Sequence, residues 1–200
     1  GSHPEPGALR SPADKVPWLD AEVSQDALLD LLEQVCTQPQ ASALAAALAN
    51  AALRGARGGA LVASAMRVVR LRAGELVLRR GEIGTFAALL LEGSAEEDIG
   101  SGGQAAAPHA PGAGAGEVAR PGGSGAQVAP LSAGQVFGAM PLFHGGKRAG
   151  DVRATTTCTV ALLPFGALEA LATQDRALHE EVMEALALSV LARMHTLGGG

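Results

Sequence analysis

The sequence predicts an α+β fold, in which an antiparallel, jelly-roll-like β-roll is flanked by helices on both sides. Apolar residues recur at helical spacing over residues 24–53. Residues 68–97 instead carry short apolar runs separated by glycines, a pattern typical of closely spaced strands joined by tight turns. A four-residue apolar recurrence near the C-terminus then predicts a long helix with one apolar face.

The chain begins with a segment that shows neither helical nor strand periodicity. Gly1-Ser2-His3 is typical of the remnant of a cleaved affinity tag, and four prolines follow within residues 1–17. We therefore predict a flexible lead-in over this range. No signal-peptide pattern is present, and the longest Ala/Leu run, residues 41–53, is shorter than the roughly 20 residues that span a bilayer. These features favour a cytoplasmic location, which includes the cytosolic domain of a membrane protein, without direct membrane insertion.

Residues 18–66 form the predicted N-terminal helical segment. Ser24 is a suitable N-cap for a first helix, which Pro39 ends. A second helix is predicted over residues 41–53 and a short third helix over residues 60–66. The helices together offer an apolar surface against which a sheet packs.

The predicted β-roll covers residues 67–163, and C-terminal helices follow over residues 164–197. Within the roll, strands are predicted over residues 68–71, 76–79, 86–91, 135–137 and 151–163. Residues 100–130 consist mainly of Gly, Ala, Pro and Ser, which cannot bury enough apolar surface to offset the entropy of ordering. They are therefore predicted to be a disordered insertion in a loop.

Charge and cysteine content limit the classes of function. The chain has 15 Lys and Arg against 20 Asp and Glu, a formal net charge of -5, so it lacks the broad cationic surface of a nucleic-acid-binding protein. An anion must then be met by a few placed donors. Cys36 and Cys158 are far apart and show no CxxC spacing, which favours reduced thiols in an intracellular compartment over a disulfide.

Motifs for catalysis and for metal binding are not found. Ser124 lies in low-complexity sequence without the glycine pattern of a nucleophile elbow. Gly146-Lys147 lacks the upstream glycine and the following Ser or Thr of a P-loop. The five histidines are scattered rather than clustered as in metal sites. We therefore expect neither enzymatic activity nor a metal or other cofactor.

One stretch carries a resemblance to a known family. Residues 137–154, FGAMPLFHGGKRAGDVRA, resemble the phosphate-binding cassette of cyclic-nucleotide-binding domains. In that family Phe-Gly-Glu leads into a short helical turn, a small loop and an Arg-Ala or Arg-Thr/Ser pair. Residues 68–97 and 131–138 are similar to the family's opening strands and to its approach to the cassette, so the likeness covers about residues 60–195. It implies a β-roll with a short cassette helix that takes cAMP or cGMP as its ligand.

The resemblance also implies where that ligand binds. The candidate ligand-binding residues are Phe137, Gly138, Ala139, Met140, Arg148, Ala149, Gly150 and Asp151. Arg148 is the candidate for a bidentate contact with the cyclic phosphate, because a planar guanidinium matches phosphate oxygens and backbone N–H groups at a short helix add further donors. The alternative is that Arg148 is a solvated loop cation beside Lys147.

Besides Pro141, which stiffens the cassette turn, two positions of the cassette depart from the family pattern. Ala139 stands where the family has a glutamate that accepts a hydrogen bond from the ribose 2′-hydroxyl, and the loss of such a bond costs about 1–3 kcal/mol. Asp151 stands where the family usually has Thr or Ser. Its carboxylate either repels a phosphate, pairs with Arg148, or is simply a surface residue at the start of a strand. The departure at Ala139 implies weakened or lost nucleotide binding, and so do the first two alternatives for Asp151.

Two functional hypotheses follow from these patterns. In the first, the chain is a regulatory cyclic-nucleotide-binding-like domain of a larger intracellular or membrane protein, such as a channel, exchanger or kinase, and its terminal helix repositions to signal. In the second, it is a nucleotide-independent scaffold or assembly domain that acts through protein contacts, with a homodimer as one form. Leu188, Leu191 and Met194 on the terminal helix serve as a ligand lid in the first hypothesis and as partner-facing residues in the second.

Overall fold

The computed structural model describes residues 19–20, 23–98 and 128–198, and it describes the side chains of residues 23–98 and 128–195. The predicted lead-in and nearly all of the predicted insertion lie outside the described residues.

Three helices precede the strands that run from Arg67 onward, as the periodicity predicts. Ser24 caps the first helix, because its hydroxyl accepts a hydrogen bond from the backbone N–H of Ala27 at 3.2 Å. Ser42 caps the second helix in the same way through the backbone N–H of Ala45, at 3.3 Å. The helices are α1 (Gln25–Cys36), α2 (Ala43–Leu53) and α3 (Ala56–Ala65).

The strands of the described ranges form two sheets in which all pairs are antiparallel, which confirms the predicted roll. They are β1 (Leu19–Asp20), β2 (Arg67–Leu71), β3 (Leu76–Leu78), β4 (Phe86–Glu92), β5 (Ser94–Asp98), β6 (Val128–Ser132), β7 (Val136–Phe137), β8 (Asp151–Ala154) and β9 (Cys158–Pro164). The order is β1-β2-β9-β4-β7 in the first sheet and β3-β8-β5-β6 in the second.

Three further helices complete the described fold: α4 (Met140–His144), α5 (Phe165–Gln174) and α6 (Arg176–Gly198). The short helix α4 lies between β7 and β8, where the cassette resemblance places one. Among the helices that the structure describes, none has both the length and the apolarity needed to cross a bilayer.

The predicted strand over residues 151–163 is wrong as a single element. β8 and β9 belong to different sheets, and the chain turns between them at residues 155–157. The backbone N–H groups of Thr155 and Thr156 both donate to the carbonyl of Ser94, at 2.9 and 3.2 Å. Alternation of apolar and polar residues continues through this corner, so periodicity alone does not reveal it.

Three other boundaries also differ from the predictions. Helix α3 begins at Ala56 rather than at residue 60. The first two described residues, 19–20, form a strand that pairs with β2, so helical structure begins at Gln25 rather than at residue 18. Residues 128–130 belong to β6 rather than to the insertion. β6 is the edge of its sheet, where Pro130, which has no backbone N–H, is tolerated.

The first sheet lies between two apolar cores. Along β4, Leu89 and Leu91 pack with α1, α2 and the C-terminal helices, whereas Ala88 and Leu90 face the interior of the roll. This alternation follows the two-residue period of a strand, and six consecutive residues of β4 are buried. β4 therefore separates the core on the helix side of the first sheet from the interior of the roll.

Candidate functional site

Arg148 lies inside the roll with only 5% of its surface exposed, whereas Lys147 is exposed. Its Nη2 donates to the carbonyl oxygen of Phe86 at 2.7 Å, and its Nη1 donates to the carbonyl oxygen of Gly138. The guanidinium carbon lies 4.6 Å from the centroid of the Phe86 ring, in cation–π geometry. The alternative interpretation of Arg148 as a solvated loop cation is therefore wrong.

The buried guanidinium remains charged at neutral pH. Burial lowers the pKa of Arg148 to about 10, and the negative charge of Glu82 opposes this shift. Both hydrogen-bond acceptors of the guanidinium are neutral main-chain carbonyls. A buried charge without a directly bonded counter-charge is costly.

The loop of residues 81–84 fixes the backbone of Arg148. Its N–H donates to the carbonyl of Glu82 at 2.7 Å, and its own carbonyl accepts from Gly81 N–H at 2.9 Å. Next to this pair, Gly84 N–H donates to the carbonyl of Gly146 at 3.1 Å. The main chain that carries the guanidinium is thus fixed through both the N–H and the carbonyl of Arg148.

Two glycines allow the close packing around the guanidinium. Gly138 has a φ of +70°, and a Cβ atom there would lie 2.7 Å from Nη1 of Arg148 and 2.8 Å from a methyl of Leu78. A Cβ atom at Gly84 would overlap the ring of Pro141 in α4. The loop at Gly84 and the cassette therefore meet without space for a methyl group.

This packing predicts the effect of a small substitution. Gly84→Ala is expected to lower the free energy of unfolding by about 1–3 kcal/mol, because an added methyl forces a well-packed contact apart. Urea denaturation measures the change. The control is Gly166→Ala in α5, where a Cβ meets nothing within 4 Å; it is expected to stabilise the chain slightly because alanine favours helix. Equal stability of the two variants would contradict the described contact.

A cavity of about 80 Å³ lies between the cassette and α6. Its wall consists of residues 136–140, Glu97 of β5, and Val190, Arg193 and Met194 of α6. Four candidate residues, Phe137 to Met140, thus line one cavity. Arg148 lies behind this wall and reaches it through the carbonyl of Gly138.

The other candidate residues lie elsewhere in the cassette loop. Ala149 is exposed, and Gly150 packs so closely on the carbonyl of Asp98 that a Cβ would overlap it. The carboxylate of Asp151 accepts a hydrogen bond from the backbone N–H of Arg80 at 2.7 Å. This contact replaces the pairing of Asp151 with Arg148 that the sequence suggested.

The cavity also contains an ion pair that sequence reasoning missed. Arg193 donates from Nε and Nη2 to the Oε2 atom of Glu97, at 3.1 and 2.7 Å. The two side chains are 15% and 20% exposed. They lie 96 residues apart in the chain, and nothing in the local pattern around Glu97 indicates a partner on the terminal helix. The pair ties α6 to the second sheet.

The family model of the cyclic nucleotide-binding domain matches residues 68–175, which is more than half of the chain. The chain belongs to the cyclic nucleotide-binding domain family. The match includes the strands of the roll from Val68 onward, the cassette and α5. Domains of this family are regulatory modules.

Solved structures support this fold. A cyclic nucleotide-binding domain from Methylobacillus flagellatus KT is 17% identical with a TM-score of 0.59, over 92% of this chain and 85% of that one. The c-di-GMP-responsive global regulator CLP of Xanthomonas campestris is 15% identical with a TM-score of 0.50, over 68% of this chain and 57% of that one. At such identities the likeness shows the fold alone. No curated protein matches the chain.

In this cyclic nucleotide-binding domain, Ala139 combines two roles. It is 2% exposed and packs in the core between the first sheet and the helices, and it also contributes to the cavity wall. Its methyl group offers no hydrogen-bond acceptor to a ligand. The terminal-helix residues suggested as a lid, Leu188, Leu191 and Met194, are all about half exposed, and of the three only Met194 lines the cavity.

Proposed function

We propose that this chain is a regulatory domain that binds cAMP or cGMP and passes the signal through α6 to a larger protein. The observation that carries the proposal is the buried, charged guanidinium of Arg148, held directly behind the cassette wall of a cavity. A cyclic phosphate carries one negative charge and supplies the counter-charge that Arg148 lacks.

The chemistry of the guanidinium supports an anionic ligand. A guanidinium carries more N–H donors than the contacts with Phe86 and Gly138 use. Gly138 lies between Arg148 and the cavity, so a bound phosphate is expected to replace the Gly138 carbonyl as acceptor. Charge-assisted hydrogen bonds of this kind are stronger than neutral ones, and low local dielectric strengthens them further.

The size of the cavity supports a coupled movement. Its volume of about 80 Å³ is far below the roughly 300–1,000 Å³ of small-molecule sites. A nucleotide therefore fits only after α6 moves away from the cassette. A ligand that prefers this second arrangement shifts the helix equilibrium, which is the requirement for signalling. The effector is a channel, exchanger, kinase or other part of the parent protein.

A second candidate function is a nucleotide-independent scaffold. It is favoured by the methyl group of Ala139 and by the existing hydrogen bonds of Arg148 to main-chain carbonyls. In this case the exposed apolar side chains of Leu188 and Leu191 contact another protein or a second copy of the chain. The domain then regulates its parent without a small ligand.

Calorimetric titration of the chain with cAMP and with cGMP separates the two functions. The proposal predicts saturable binding of at least one of them with a dissociation constant below about 1 mM, which corresponds to about 4 kcal/mol of binding free energy. The acyclic nucleotide 5′-AMP is the control and is expected to bind more weakly. Absence of binding at millimolar concentrations of both cyclic nucleotides would leave the scaffold function.

A further inference from the structure

The cavity between the cassette and α6 holds very few side chains that can recognise a polar group. Among the described residues of its wall, Glu97 is the one with an acceptor carboxylate and Arg193 the one with a charged donor. The other side chains of the wall are aliphatic, aromatic or thioether groups, and Gly138 has none. Any hydroxyl or amine of a ligand that donates a hydrogen bond in this cavity must therefore donate it to Glu97 or to a main-chain carbonyl.

The carboxylate of Glu97 is only partly used. Both donors of Arg193 contact the same oxygen, Oε2, at 3.1 and 2.7 Å. Among the described residues, no hydrogen bond reaches the second oxygen, Oε1. The carboxylate therefore retains the capacity to accept a hydrogen bond from a ligand.

The position of Glu97 places it at the cassette. In the pairing of β5 with β8, Glu97 lies opposite Val152. Val152 follows Gly150 of the cassette loop by two residues. Its Cγ atom lies 3.7 Å from the point where a Cβ of Gly150 would be. Its carboxylate thus contributes to the wall of the cavity that Ala139 also lines, and supplies the acceptor that a methyl group cannot.

We propose that Glu97 is the ligand-recognition carboxylate of this cavity, and that Arg193 is a positioning residue that competes with the ligand for it. Glu97 accepts a hydrogen bond from a hydroxyl or amine of the bound nucleotide. In the ligand-free arrangement described above, Arg193 instead pairs with Glu97 and keeps α6 next to the cassette. The inference rests on the proposed function and adds the residues that recognise the ligand and report its presence to α6.

The two roles predict opposite effects on affinity. A partly exposed ion pair changes an equilibrium constant by up to about fivefold, so loss of Arg193 is expected to tighten binding by no more than that. A hydrogen bond to a charged group contributes about 10- to 100-fold. Loss of Glu97 removes both the ion pair and this bond, and the second effect is the larger.

The test compares Glu97→Met with Arg193→Met, since both variants lack the ion pair. Calorimetric titration with cAMP and cGMP gives their dissociation constants. Arg193→Met is expected to bind up to about fivefold more tightly than the unmodified chain, and Glu97→Met about tenfold or more weakly than Arg193→Met. If the pair is only structural, the two variants bind equally, which would overturn the inference.

Controls keep this outcome separate from failure of the proposed function or of folding. If the unmodified chain binds and the two variants are equal, the proposed function stands and the role of Glu97 is wrong; if the unmodified chain does not bind, both are wrong.

Far-UV circular dichroism checks that each variant is folded. Should Glu97→Met not fold, Glu97→Ala, which also lacks an acceptor, decides by the same comparison with Arg193→Met. Arg176→Met removes the exposed Arg176–Glu180 pair of α6 and is expected to leave affinity unchanged.

Discussion

Arg148→Met is expected to weaken binding of the cyclic nucleotide by roughly 30-fold or more. The variant removes the only buried cation at the cassette among the described residues. Losing one partner of a buried, hydrogen-bonded charge pair costs about 2–5 kcal/mol, which corresponds to this change in affinity. The guanidinium is charged throughout the neutral range because the pKa of Arg148 is about 10, so the effect is expected to be the same at pH 6 and at pH 8. Calorimetric titration at the two pH values measures it.

The matched control for this variant is Lys147→Met. It removes the same charge from the neighbouring position, where the side chain is exposed. Exposed charges are screened by solvent and salt, so its affinity is expected to stay within about twofold of the unmodified chain. Equal losses in the two variants would indicate a general electrostatic effect and contradict the assigned role of Arg148.

Arg148→Met also bears on stability. The carbonyls of Gly138 and Phe86 lose their donor, and an unsatisfied buried acceptor costs about 1–3 kcal/mol. Binding must therefore be compared at a temperature at which the variant is folded. Arg148→Lys keeps the charge without the planar fork, and it is expected to bind with intermediate affinity.

Leu90→Ala is expected to lower the free energy of unfolding by about 2–5 kcal/mol. Leu90 is 0% exposed and packs in the roll interior with residues of both sheets. Removing its side chain loses the transfer free energy of the buried atoms and leaves a cavity that the neighbouring strands cannot close. Urea denaturation measures the change, as a lower midpoint concentration with an unchanged m-value.

Leu53→Ala provides the same chemical change at an exposed position. Leu53 is 70% exposed at the end of α2, so its replacement is expected to change stability by less than about 0.5 kcal/mol. A small effect at Leu90, equal to that at Leu53, would show that the roll interior is not packed as described.

The elements that the sequence predicted share one property, a strong local period. Helix α1 has a capping serine and an apolar stripe, and β4 is an apolar run bounded by turn residues. The location of Arg148 in the cassette loop followed from the resemblance of residues 137–154 to the family's cassette. For α1 and β4, local sequence predicts the element, whereas the burial of Arg148 also depends on distant partners such as the carbonyls of Phe86 and Glu82.

The parts that were missed depend on contacts between distant segments. β5 has the sequence SAEED, and only Ala95 of it is buried, so it offers no apolar alternation. β6 was not predicted because it directly follows a Gly- and Pro-rich stretch and itself contains Pro130. The Glu97–Arg193 pair joins a strand to the terminal helix, and such a contact exists only after the roll and α6 have packed. Tertiary packing, rather than propensity, decides these features.

The most direct test of a cassette that binds a cyclic nucleotide is amide-resolved NMR of the labelled chain during titration with cAMP and cGMP. The account predicts saturable shifts of the amides of Gly138 and Ala139 together with Val190 on α6, retained in Lys147→Met and lost in Arg148→Met. Unchanged spectra at millimolar nucleotide, or shifts confined to residues outside the cassette and α6, would contradict it.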